Sequence, residues 1–454
     1  MTTRWCMIEG PTITPLEALA RIADAPVIAM LHGSAGTSLV WHDVVIPNPD
    51  LDALPASQVL RGLSLGADFF AKRNRPSPPP KDPRFGLTWC DVPPESWFVQ
   101  CDYEFPESRP RLVVAPHVVR WDESGKCWLL GLDESVLEWM AERLAGPAEI
   151  PDPAAPFREP DEELPLVPRT STIAPLALAE PFTPAWDADG HRERVQRIKD
   201  YIAAGDCYQV NLAVPFRGRF AAAPHRDIAA FTTLMQQSSG PFSAFFRTPG
   251  RPSVVSHSPE CLLSVRSDHL TSLPIKGTRR RVVGRENELW SELRAAAKDD
   301  AELAMIVDLV RNDLGRAAVT GSVQVVDPAV RLDLPYVIHR AARIDARLRP
   351  GLTAYDALMA SFPAGSITGA PKHRVMEIIS ELEGGPRGAY CGTFGWIGPG
   401  GGDFAVAIRT AEIDGDAITF HAGGGIVWDS DPASEWDEVR AKAAGMAGAL
   451  GGEV

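Results

Sequence analysis

The chain has 454 residues, 45% apolar and 23% charged, with a formal net charge of −14. That is enough for two or three average domains, or one large core with a satellite, in an ordinary water-soluble balance. The acidic excess argues against non-specific nucleic-acid binding, which needs a basic surface, while leaving room for a small cationic pocket.

The N-terminal stretch "MTTRWCMIEGPTITP" has no apolar core of signal-peptide length. The run "APVIAML" falls far short of the roughly 20 residues a membrane span requires, so no membrane association is expected. Residues 1–143 alternate short apolar runs ("PVIAML", "RLVVAPHVVRW", "KCWLLGL") with turn clusters and read as β-rich with a few helices. Residues 144–185 are crowded with proline, which lacks the N–H of a helix or central strand, and read as a linker. From 186 onward the patterns sharpen. Val195, Ile198 and Ile202 predict a helix over 189–206 ending near Gly205. "CYQVNLAVPF" reads as a strand. "SELRAAAKDDAELAMIVDLVRNDLG" predicts one long helix with Leu303, Ile306, Val307 and Val310 on a stripe. "GAPKHRVMEIISELEGG" predicts another, with Pro371 in its first turn and Gly384 just past its end. "AYCGTFGWIG", "DFAVAIRTAEI" and "DAITFHAGGGIVW" read as consecutive strands, and a last helix starts after Asp431 as N-cap. Strands that follow one another without helical crossovers argue for antiparallel sheets and an α+β fold. Seven scattered cysteines without a CxxC pair argue against a disulfide scaffold or structural zinc, and for a reducing cytoplasm.

Several residues could carry chemistry. Lys276, in "SLPIKGTRRR", ends an apolar strand; either it reaches solvent or the fold wants an amine there. Glu435, Glu438 and Lys442 share one helix face. Their spacing alone favours a solvated acidic face with Lys442 as counter-ion; a hard cation such as Mg²⁺ would reverse that preference, with Glu302 as a third candidate ligand. Gly423, Gly424 and Gly425 suit close approach of a ligand to backbone N–H groups, or a bulge or turn. The Thr368–Gly369 turn offers amides at a helix start, or plain capping. Arg409, among inward apolar neighbours, must find an anion, whether a ligand carboxylate or an internal partner. Tyr390 could donate a phenol hydrogen bond or be core, and a lone His339 is more often a satisfied core residue than a zinc ligand.

These residues sit in segments ("YIAAGDCYQVNL", "SPE", "PIKGTRRR", "ELAMIVDLVRNDLGR", "FPAGSITGAPKHRVMEIISELE", "RGAYCGTFGWIG", "AIRT", "AGGGIVWDSDPASEWDEVRAKA") that together resemble the chorismate-utilising enzymes. That family holds component I of anthranilate synthase and of aminodeoxychorismate synthase, and the isochorismate and salicylate synthases. The resemblance covers more than half of the chain and implies two large packed antiparallel sheets flanked by helices, with 186–454 as the chorismate-binding catalytic domain; residues 1–143 match weakly. It implies chorismate as substrate and Mg²⁺ held by Glu302, Glu435 and Glu438. It further implies Gly423, Gly424 and Gly425 near the ring carboxylate, Arg409 and Tyr390 on the enolpyruvyl carboxylate, Lys442 helping with charge, and Thr368, Gly369 and His339 lining the pocket. Members that make anthranilate usually carry alanine where this chain has Lys276, whereas "PIKGT" looks like the aminodeoxychorismate synthases. Water-using members need a lysine where this chain has Gln209, so water addition is disfavoured. The family's general acid matches Glu260, and a buried carboxyl with a raised pKa would suit that task. A free lysine titrates near about 10.4, and burial with neighbouring cations such as Arg279 is expected to lower that. The expected reaction converts chorismate and ammonia to 4-amino-4-deoxychorismate through a covalent Lys276 adduct. No glutaminase motif such as GxCxG is present, so ammonia is expected from a separate glutamine amidotransferase subunit. The stretch "MLHGSAGTSLVWHDVV" lacks the Glu-Ser pair through which many relatives bind tryptophan, and the resemblance carries no tryptophan site over. The rivals are anthranilate synthase component I, a catalytically silent binding subunit, and a Schiff-base lyase using Lys276.

Overall fold

Every ladder among the described residues is antiparallel, as strands without helical crossovers dictate. The computed structural model describes residues 6–23, 25, 27–33, 36–42, 96–104, 111–115, 118–121, 126–131, 134–145, 176–237, 240–334, 337–398 and 401–454. In chain order the strands begin with β1 (Cys6–Glu9), β2 (Val27–Gly33), β3 (Gly36–His42), β4 (Ser96–Cys101), β5 (Arg111–Ala115), β6 (Val118–Trp121) and β7 (Cys127–Gly131). Next come β8 (Leu178–Pro184), β9 (Gln209–Phe220), β10 (Phe242–Arg247), β11 (Ser253–Ser258), β12 (Cys261–Arg266), β13 (His269–Leu273) and β14 (Ile275–Arg280). The remainder are β15 (Gln324–Asp333), β16 (Val337–Arg347), β17 (Gly369–Ala370), β18 (Thr393–Gly398), β19 (Gly401–Val406), β20 (Thr410–Asp414) and β21 (Ala417–Ile426). The helices are α1 (Pro15–Arg21), α2 (Glu134–Ala145), α3 (Ala188–Ala204), α4 (Arg226–Gln237), α5 (Glu286–Ala295), α6 (Ala297–Gly315), α7 (Ala354–Ser361), α8 (Lys372–Glu383) and α9 (Pro432–Ala449).

One sheet runs β1-β7-β6-β3-β2-β10-β11-β20-β21-β9-β17, with β8 also on β9. The other runs β14-β16-β13-β12-β19-β18-β4-β5, with β15 also on β16. The N-terminal strands thus contribute to both sheets. Of the proline-rich segment, residues 146–175 lie outside the described residues, and Leu178–Pro184 pair with β9 as β8. Ala213 of β9 packs in one apolar cluster with Leu262, Val265 and Phe404 of the other sheet. Its neighbours Val214 and Phe216 pack with Val439, Ala443 and Met446 of α9 in another. Among the described residues no helix is long and apolar enough to cross a membrane.

Local signals explain most element ends. Asp187 caps α3 through Gly190 N–H, and Gly205 closes it at φ +85°. Asp431 caps α9 through Ser434 N–H, with Pro432 following. The structure departs from the sequence reading in three places that matter. The long helix expected across 291–315 is broken at Ala296 (ψ 99°) into α5 and α6. Pro371 stands at the N-cap of α8 rather than inside its first turn. "DFAVAIRTAEI" is not one strand: β19 lies in one sheet and β20 in the other, and Ala407–Arg409 cross between them.

The sequence gives no hint of one buried anchor. Arg387 is fully buried and grips Glu383 with two bonds, Nε to Oε2 at 2.8 Å and Nη2 to Oε1 at 2.6 Å. It also donates to the Ile367 carbonyl (3.0 Å) and the Asn211 carbonyl (2.7 Å), and lies 4.7 Å from the Tyr103 ring centroid. One guanidinium therefore ties α8, β9 and the 3-10 turn Gly365–Ile367 together. Arg387→Ala strands the Glu383 carboxylate in the interior and is expected to cost ~3–5 kcal/mol. Chemical denaturation checks this; a loss near zero would mean that the pair holds nothing together.

Candidate active site

Two neighbouring crossings between the sheets supply two of the expected residues. Pro259–Glu260 link β11 to β12, and Ala407–Arg409 link β19 to β20. The crossings are bonded to each other: Val406 N–H donates to the Glu260 carbonyl (3.1 Å), and His257 N–H to the Arg409 carbonyl (3.2 Å). Arg409 adopts a left-handed φ of +50°, unusual for a side chain of its size. Such strain persists where surrounding structure fixes it, often at functional sites.

Glu260 is buried, and burial pushes its carboxyl up to about 7; the Ser366 hydroxyl, Lys276 and the Ile275 amide hold it from rising further. Lys276 is half-buried on β14. Ile275 pairs with Ala341 and Thr278 with His339, so β14 uses three steps where β16 uses two. The extra residue is a bulge at Lys276–Gly277, and bulges re-aim side chains beside active sites. Gly277 sits at φ +90°, and a Cβ there would lie 3.0 Å from Leu293 Cδ1. Arg279, expected to press on Lys276, instead pairs with Asp299 at 3.3 Å.

His339 Nδ1 and the Thr278 hydroxyl are 2.9 Å apart. Burial first, then the Arg409 charge, lowers His339 to about 4 and His257 to about 3. Both imidazoles are neutral near pH 7, leaving Arg409 as the cation of this group. Burial lowers Arg409 too, and among the described residues its guanidinium shows no hydrogen bond or ion pair. A half-buried guanidinium without an anion calls for one from a ligand.

Gln209, Asn211 and Ala213 share the face of β9 that looks toward the other sheet. On β21, Gly425 pairs with Asn211 and Gly423 with Ala213, and a Cβ on Gly425 would stand 2.5 Å from Gln209 Nε2. Gly424 turns the opposite way, toward α9. A Cβ there would lie 3.4 Å from Glu435 Oε2 and 3.5 Å from Glu438 Oε1. The three glycines lie inside a regularly paired strand rather than after it, and form neither bulge nor turn. Across them only backbone separates the Gln209 side from the carboxylates. Thr368 and Gly369 also differ from the reading of a helix start: Gly369 pairs with Val210 in β17, and the Thr368 hydroxyl donates to the Ala364 carbonyl at 2.9 Å. Tyr390 is buried and stacks on His421, centroids 5.0 Å apart and planes 12° off parallel; burial raises its phenol far above the ordinary value.

Glu435 is buried and accepts from the Ser430 hydroxyl at 2.6 Å. Lys442 bonds Glu438 at 2.6 Å and the Gly423 carbonyl at 2.8 Å. Two carboxylates side by side, with an ammonium on one, form a hard-oxygen donor set that fits Mg²⁺. Glu302 is half-buried on α6 and is not brought into a cluster with them; no group of three His, Cys, Asp or Glu side chains stands at metal-holding geometry among the described residues.

Sequence reasoning named Gln209 and His339 but missed Asn211, His257 and Ser366. Gln209 Oε1, Asn211 Oδ1, His257 Nδ1, His339 Nε2 and Ser366 Oγ are all buried without a hydrogen-bond partner. Buried polar atoms are ordinarily satisfied, so this many orphans around Arg409, Glu260 and the glycine strand mark a place for a polar ligand. Only a spatial arrangement reveals them; nothing in the spacing of Asn211, His257 or Ser366 sets them apart.

A family model described as chorismate binding enzyme matches residues 70–448. Aminodeoxychorismate synthase component 1 of Klebsiella aerogenes is 42% identical over 272 residues, 58% of this chain and 59% of that protein. Anthranilate synthase component 1 of Neisseria meningitidis serogroup C / serotype 2a is 39% identical over 299 residues, 64% of this chain and 60% of that protein. The chain spans about three fifths of the length of these relatives. Among solved structures, the menaquinone-specific isochorismate synthase MenF from Escherichia coli aligns with a TM-score of 0.73 at 21% identity, over 98% of this chain and 94% of that one. Anthranilate synthase component I from Streptococcus pneumoniae TIGR4 aligns with a TM-score of 0.65 at 24% identity, over 98% and 92%. Both share the α+β fold of two antiparallel sheets with helices.

Proposed function

The chain belongs to the chorismate binding enzymes, and we propose that within them it acts as an aminodeoxychorismate synthase component 1. In this reading it converts chorismate and ammonia to 4-amino-4-deoxychorismate and water. The observation that carries the reading is Lys276: an amine on a bulged strand, with the buried Glu260 carboxyl beside it. Glu260 titrates at about 7, so near neutral pH an appreciable fraction is protonated and able to donate.

The Lys276 amine attacks C2 of the ring, the double bonds shift, and the C4 hydroxyl leaves with the Glu260 proton as water. Ammonia then adds at C4, the shift reverses, Lys276 departs, and the Glu260 carboxylate takes one proton from the new C4 ammonium. Atoms and charge balance over the two displacements, and Glu260 ends protonated as it began. Arg409 orients the enolpyruvyl carboxylate, with the neutral His339 and Tyr390 as polar walls, while Gln209 offers no base to activate water. Glu435 and Glu438, which face Gly424 together, would hold Mg²⁺, and the ion when bound would neutralise the ring carboxylate. Ammonia comes from a glutamine amidotransferase subunit, in keeping with the component 1 names of the relatives.

Anthranilate synthase component 1 is the second reading, because relatives of that name match about equally well. Incubation with chorismate, Mg²⁺ and ammonium, followed by chromatography, separates the two. We expect a non-fluorescent 4-amino product; fluorescent anthranilate appearing directly would overturn the choice.

A further inference from the structure

The Glu260 carboxyl has two sides. Lys276 acts on it from β14, and Lys276 does not line the small void that borders Glu260 elsewhere. That void, about 10 Å³, is bordered by Glu260, Ser366, Ser361, Ser272 and Asp313. Ser366 is buried in the 3-10 turn Gly365–Ile367, and its hydroxyl has no hydrogen-bond partner. It stands close enough to lower the Glu260 pKa without being drawn into a fully formed hydrogen bond.

The turn that carries Ser366 is held from three directions. A Cβ on Gly365 would lie 3.1 Å from Leu309 Cβ, which fixes the distance to α6. Arg387 holds the Ile367 carbonyl at 3.0 Å, and Thr368 holds the Ala364 carbonyl at 2.9 Å. Behind the void, Lys372 from α8 bonds Asp313 of α6 at 2.8 Å. The charged groups around Glu260 are therefore Lys276 on one side and the mutually bonded Asp313–Lys372 pair on the other. The pair satisfies itself, which leaves Ser366 as the neutral donor free to serve the carboxyl.

We propose that Ser366 is a positioning residue for the proton of Glu260. Its hydroxyl, unpaired in the resting turn, is placed to donate to the Glu260 carboxyl across the void they share, so the acidic proton is kept on the oxygen that Ser366 does not serve. When that O–H bond breaks and the proton leaves with the C4 hydroxyl, the Ser366 bond tightens on the carboxylate left behind. It loosens again when the carboxylate recovers a proton from the C4 ammonium. This rests on the reading of Glu260 as proton donor.

A donor to the charged form lowers a carboxyl pKa, so its removal raises it. Ser366→Ala is expected to move the Glu260 titration upward by roughly 0.5–1 pH unit and to lower kcat ~10-fold with KM for chorismate little changed. Ser366→Thr keeps the hydroxyl and should restore both. The Glu260 titration is read by infrared difference spectroscopy of the carboxyl stretch against Glu260→Gln, without turnover, on variants whose circular dichroism matches the parent. An unmoved midpoint in Ser366→Ala, or one that Ser366→Thr fails to restore, overturns the inference. A moved midpoint in an enzyme that makes anthranilate supports the role of Ser366 and counts only against the choice of product.

Discussion

Lys276→Ala is expected to abolish the chorismate adduct in intact-mass spectra and to lower formation of the 4-amino product by about 10³-fold. The spectrum is taken with chorismate and Mg²⁺ but no ammonia, so that the second displacement cannot discharge the adduct. The size of the effect follows from the chemistry. Without the amine, C4 must exchange a poor leaving group in one step, and the neighbouring Arg279, a cation paired with Asp299, cannot replace it as nucleophile. Folding should be spared, because a half-buried lysine at a bulge contributes little to the apolar core. An adduct that survives in Lys276→Ala would place the covalent chemistry elsewhere and remove the basis for the proposed product.

Glu260→Gln is expected to cost about 10²–10⁴-fold in turnover, the usual worth of a positioned proton donor. The amide fills the same space but has no proton to give to a departing hydroxide. The pH dependence carries the sign. Burial raises the carboxyl to about 7, so the donating form predominates below that pH and is lost as pH rises through it. Glutamate donates in the first half-reaction and accepts in the second. The rate of adduct formation alone should therefore fall on the alkaline side of about 7, while the ammonia-dependent half should fall on the acid side. Single-turnover measurements of each half check this. Equal pH profiles for the two halves would show that Glu260 does not play both parts.

Much of this was legible in the sequence, and the rest was not for identifiable reasons. The strand pattern, the cap at Asp431, and the glycine endings at Gly205 and Gly384 follow from local rules that act over a few residues. Arg409 was read as a cation in need of an anion, but on the wrong element. Alternation along "DFAVAIRTAEI" cannot show that the chain changes sheets midway, because both sheets bury the same residue types. The triglycine invited a turn for a similar reason: glycine in a strand interior is uncommon, and the groups that exclude a Cβ there, Gln209 at Gly425 and the Leu212 carbonyl at Gly423, come from β9, far along the chain. The bulge at Lys276 is invisible for want of a partner strand to count against. Arg387, Ser366 and the orphaned amide of Asn211 are ordinary residues in one dimension and acquire meaning only from what surrounds them.

The acid and the guanidinium stand on adjoining bridges from one β-layer to the other. Neither belongs to a loop that can drift by itself; a slip of one layer over its mate carries both away together. Chemistry in this molecule is thereby made a property of how its two halves stack, and a loosened intermediate that kept its strands but lost that stacking would be inert.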